Sequence, residues 1–65
     1  MKYEITSELL GAVDALFTAR DFCGDEAAAL REWEWENRKL TEGERFAVRQ
    51  ELARQWADFR EEARR

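Results

Sequence analysis

Residues 32–36 read Glu32-Trp33-Glu34-Trp35-Glu36, and on a helix of 3.6 residues per turn the two indoles lie about 200° apart. One can join a core; the other projects from nearly the opposite side. Upstream the segment is bounded by Gly24 and Asp25, a natural helix stop followed by a natural N-cap, which predicts a helix over about residues 26–40. Downstream, Thr41-Glu42-Gly43-Glu44 matches the capping box, in which a threonine hydroxyl and a glutamate three residues on satisfy each other's free amides. This starts a third helix over about residues 42–63. Ala29, Leu30, Trp33, Asn37 and Leu40 share the face of the middle helix that must be buried. Trp35 has two readings: a ring lying over an N-terminal arm beside Tyr3 and Ile5, or an exposed anchor ringed by polar groups.

A first helix is expected over about residues 7–22, with Thr6 or Ser7 as N-cap and Glu8 placed favourably in its first turn. Leu9, Ala12, Val13, Leu16, Ala19 and Cys23 recur at helical spacing on one side. Leu10 and Phe17 widen that side, either to pack on a neighbouring helix or to form a dimer seam. On the third helix Phe46, Val48, Leu52, Ala53, Trp56, Ala57, Phe59 and Ala63 are expected to form a wide apolar side. Opposite it, Glu44, Glu51, Asp58 and Glu62 line up about 10.5, 10.5 and 6 Å apart along the axis, a pitch comparable to phosphates along a nucleic-acid strand. The plainer reading of that row is a solvated face. Residues 2–6 alternate polar and apolar but have no strand partner, so they read as an extended arm or as half of an intermolecular pair. The expected fold is all-α: a compact three-helix domain, residues 1–65, with a short extended N-terminal arm.

The 65 residues include no histidine, no proline and one cysteine. A chain this short buries only about 60% of the surface it exposes unfolded, which leaves little room for a deep catalytic cleft. A carboxylate pair such as Glu32 and Glu36 would need desolvation to act as acid and base, so an enzyme is not expected. Neither is a cofactor or a metal, because only carboxylates could ligate one and no calcium-loop spacing occurs. Cys23 reads as a reduced packing thiol among Asp21, Asp25 and Glu26, and no segment resembles a secretory signal or a membrane span, so a cytoplasmic protein is expected. The net charge of −4 is unevenly divided: residues 1–44 carry −6 and residues 45–65 carry +2. Such a surface repels nucleic-acid backbones and attracts the basic grooves that hold them, so direct nucleic-acid binding is not expected.

Three binding roles fit. The first is an inhibitor whose acidic helices occupy a basic nucleic-acid channel on another protein. The second is an adaptor blocking a transcription factor or motor ATPase by apolar contact, and the third a structural homodimer. Salt separates the first two, since a phosphate-mimicking contact weakens with ionic strength far more than an apolar one.

In size, arginine- and alanine-rich usage and acidic helices, the whole chain resembles the small phage-encoded anti-CRISPR proteins that inhibit type I-C systems. That resemblance implies a DNA-mimicking inhibitor in the bacterial cytoplasm that binds the large subunit of the Cascade complex and keeps target DNA out. Monomer and homodimer both fit the residues. The candidate partner-binding residues are Asp14, Asp21, Asp25, Glu26, Glu32, Glu34, Trp35 and Glu36, or the row Glu44, Glu51, Asp58 and Glu62.

Overall fold

The computed structural model describes residues 4–64. Among them are three helices and no strand: α1 (Ser7–Asp21), α2 (Glu26–Glu36) and α3 (Glu42–Ala63). Each start is fixed by a side chain that accepts hydrogen bonds from otherwise unpaired amides. The Thr6 hydroxyl takes the N–H of Leu9, the Asp25 carboxylate those of Ala27 and Ala28, and Thr41 that of Glu44, with Glu44 returning to the Thr41 amide as a complete capping box. Of the alternating arm, Lys2 and Tyr3 lie outside the described residues, and Glu4 to Thr6 carry no regular structure.

Helix α1 lies between the other two. Leu9, Ala12, Val13 and Leu16 are buried at i, i+3, i+4 and i+7 and meet Leu30, Leu40, Val48 and Leu52 in one cluster. Helices α2 and α3 each pack on α1 and make no close backbone approach to one another. At the α1–α2 seam Trp33 stands beside Gly11, where an added Cβ would lie 3.4 Å from its Nε1, and Arg20 pairs with Glu26. The two helices are therefore antiparallel. At the α1–α3 seam Glu8 and Glu44 share Arg38 at one end, while Phe17 meets Trp56 and Phe59 edge-on at the other, with ring centroids 5.3 and 5.5 Å apart. Those two helices are therefore parallel. Phe17 is thus an intramolecular packing residue, its aromatic contacts each contributing roughly 0.5–1.5 kcal/mol beyond area burial. Leu10 beside it remains 41% exposed.

Several expectations are corrected. Helix α2 stops at Glu36, not near residue 40, because Asn37 turns back and donates both its backbone N–H and its side-chain amide to the Trp33 carbonyl. Leu40 is still buried, but from the connecting loop. Asn37 itself is exposed. The buried face of α3 is Ala47, Val48, Glu51 and Leu52, whereas Phe46, Ala53, Ala57, Phe59 and Ala63 are exposed. The reason is that only one stripe of α3 faces α1, so apart from Phe59, which packs on Phe17 and Trp56, the remaining apolar residues have nothing to cover them.

The end of α1 differs from its expected form as well. Cys23 is exposed, and it rather than Gly24 adopts the left-handed conformation, with φ 56°. The Cys23 N–H donates to the Arg20 carbonyl and the Gly24 N–H to the Ala19 carbonyl, which is the Schellman pattern with cysteine in the position glycine usually fills. Gly24 serves by its smallness, since a Cβ there would lie 3.3 Å from the Ala19 carbonyl oxygen.

Two stability measurements check this packing. Cys23→Gly relieves the left-handed strain and should raise the unfolding free energy by about 0.5–1 kcal/mol in urea titration; an unchanged or lowered value would contradict the strain. Trp33→Ala opens the α1–α2 seam and should cost about 2–4 kcal/mol by the same titration.

Candidate functional site

The acidic residues separate into those already engaged within the fold and those that are not. Glu34 belongs to the first group. Its side chain is 12% exposed and accepts the Leu40 N–H at 2.7 Å and the Arg45 guanidinium at 3.0 and 3.2 Å. The Leu40 amide, followed by Arg45, holds its carboxyl below the ordinary carboxylate range. Glu44 is both the capping-box acceptor and a partner of Arg38, which together with the Thr41 amide holds its carboxyl down at about 2. Arg38 also reaches Glu8 at 2.6 Å, so one guanidinium ties the α2–α3 loop to the first turns of α1 and α3. Its own pKa is raised by Glu44 and Glu8.

Glu51 is 5% exposed and accepts from Arg54 and from Gln55. The expected row of Glu44, Glu51, Asp58 and Glu62 therefore does not form an open acidic face. Glu51 lies within the buried stripe of α3, Glu44 is held by the capping box and Arg38, Asp58 shares Arg54 with Glu51, and only Glu62 is exposed with no ion pair among the described residues. Asp25 is occupied as the α2 cap. Glu26 forms a two-pronged pair with Arg20, whose guanidinium lies 5.4 Å from the Trp56 ring. That pair lines a cleft of about 310 Å³ between the three helices.

Asp14, Asp21, Glu32 and Glu36 remain exposed without an ion pair among the described residues. Asp14 and Asp21 stand on the outer face of α1. Glu32 and Glu36 flank a groove of about 410 Å³ between α1 and α2, floored by Ala15, Ala19, Ala29 and Trp33. Trp35 is 90% exposed and Phe22 78%. Of the two readings of Trp35, the exposed ring is the one the fold adopts. A helical wheel places Ala28, Arg31 and Glu32 around it. No described helix is long and apolar enough to cross a membrane, and no three acidic or thiol side chains among the described residues converge as metal ligands would.

Sequence reasoning separates Trp33 from Trp35 but does not reveal that Glu34, between them, is structural. Its partners Leu40 and Arg45 lie 6 and 11 positions away, past the end of α2 and beyond the i+3 and i+4 reach of side chains on one helix. No protein-family model matches the chain, and no curated protein or solved structure is significantly similar to it.

The engaged carboxylates set a pH dependence. Glu44 and Glu34 sit lower in the folded chain than the ordinary 4.5, so the unfolded state binds protons first as the pH falls. Their stabilisation is fully present above about pH 4.5 and is lost toward about pH 2, where Glu44 itself protonates. The thermal midpoint should drop across that window, and Glu44→Gln should flatten the drop. A wild-type midpoint that stays level through it would contradict the assignment.

Proposed function

We propose that this chain is a stoichiometric inhibitor that works by binding another protein, with Trp35 as its apolar anchor and Glu32 and Glu36 as part of a polar rim. The observation that carries this reading is the 90% exposure of the Trp35 side chain on a helix fixed at both ends by Asp25 and Asn37. An indole in water is unfavourable for the free protein, and tryptophan is among the commonest binding hot spots. A capped helix presents it with little conformational entropy left to lose on binding.

The unpaired carboxylates orient the encounter toward a basic surface and act mainly on the association rate. With Glu34, Glu44 and Glu51 engaged inside the fold, an apolar plug with an acidic rim is better supported than a continuous phosphate-like row. On the resemblance to type I-C anti-CRISPR proteins, the first partner to test is the large subunit of Cascade. Asp14, Asp21, Glu32 and Glu36 are the acids available to meet its DNA-binding surface.

The test is capture of purified type I-C Cascade subunits by the wild-type chain and by Trp35→Ala, at low and high salt. Trp35→Ala should retain its melting temperature and lose about 30-fold or more in affinity for the captured subunit. Moderate salt sensitivity is expected, with competition by target duplex. Binding unchanged by Trp35→Ala would remove the anchor, and capture of no subunit at either salt would remove this target.

A further inference from the structure

Two surfaces fit one another, the first of them sharing Glu32 and Glu36 with the polar rim of the proposed Trp35 contact. The first is the α1–α2 groove, about 410 Å³, with a floor of alanines and the Trp33 edge. Its rim holds Glu32 and Glu36, which lie about 6 Å apart along the helix axis. The second is the side of α3 that faces away from α1. Phe46, Ala53, Ala57, Arg60 and Arg64 fall there within about 60° of arc, and all five are exposed; Arg49, at the edge of the stripe, lines the cleft between the three helices. Two acids border that sector, Glu42 beside Phe46 at the helix start and Glu61 beside Arg60 and Arg64, while its centre carries none. Arg60 and Arg64 repeat the rim's spacing of about 6 Å, and neither has an ion pair among the described residues.

The alanines on both surfaces remove the bulk that keeps helices apart, so a helix laid in the groove can approach at the short end of the usual 8–10 Å axial separation. The carboxylate pair and the guanidinium pair then meet at matching pitch, a geometry suited to charge-assisted hydrogen bonds. The two surfaces cannot meet within one molecule, because the stripe points away from α1 and the groove lies on the flank of α1 that α2 covers. We infer that the chain binds a second copy of itself, the arginine and alanine stripe of α3 on one molecule seated in the acid-rimmed α1–α2 groove of another. The contact joins unlike surfaces and is small, so it is weak and dependent on concentration and salt.

Sedimentation of the full chain over a concentration series at low and high salt tests this. The wild-type chain should gain mass with concentration at low salt and return to monomer at high salt. The pair Glu32→Arg and Glu36→Arg should stay monomeric, and so should the pair Arg60→Glu and Arg64→Glu, each with unchanged helical circular dichroism. Mixing the two variants should restore association, because the native surface of each then faces a complementary surface on the other. A wild-type chain that remains monomeric at low salt and high concentration would overturn the proposal. So would association untouched by both reversals, or a mixture that fails to associate. If one reversal were to unfold the chain, Glu32→Gln with Glu36→Gln and Arg60→Gln with Arg64→Gln should each still weaken association.

Discussion

Helix α1 is flanked on both sides, and the rest of the structure follows from that constraint. A three-helix bundle ordinarily closes a triangle in which each helix covers the other two. Here α2 and α3 both lean on α1 and not on each other, leaving a body 17 Å across in its thinnest direction. The apolar stripe of α1 is wide enough to serve two neighbours. Leu30 is the one buried residue of α2, so α2 has no second apolar face to offer α3.

Polar contacts do the joining that an absent α2–α3 seam would have done. Glu34 holds the Leu40 amide and Arg45, and so binds the end of α2 to the loop and to the first turns of α3. Arg38 gathers Glu8 and Glu44 from the starts of the two parallel helices. Arg20 links Glu26 at the start of α2 and lies against the Trp56 ring of α3. These pairs are partly exposed, so each adds little to stability alone. Their effect is geometric, because they fix the angle at which α2 and α3 leave α1 and hence the opening of the α1–α2 groove.

An open arrangement also explains why so much apolar surface is left in water. Trp35, Phe22, Phe46, Phe59 and Leu10 are exposed because no fourth element covers them. Trp35, among acids in the last turn of the capped α2, is suited to a partner, whereas Phe59 is held against Trp56 with ring centroids 5.3 Å apart. The unpaired acids and the arginine stripe lie on different sides of the molecule, so net charge alone describes its surface poorly.

The sequence by itself determined the three helices, their starting caps and the opposition of Trp33 to Trp35, because these depend on residues no more than one or two turns apart. Thr41 and Glu44 are three positions apart, and the apolar stripe of α1 needs only local periodicity. The tertiary structure decided which carboxylates are free. Glu34 and Glu36 stand on opposite flanks of the buried face of α2, yet one is bound to Leu40 and Arg45 and the other faces solvent. Likewise Glu51 sits among the buried residues of α3, where a wheel drawn around Phe46 and Ala57 places it outside. Arg38 and Glu8 meet across 30 positions of chain. A hydrogen bond depends on a partner's position in space, and for a charged side chain that position is set by how helices pack, not by the residues beside it in sequence.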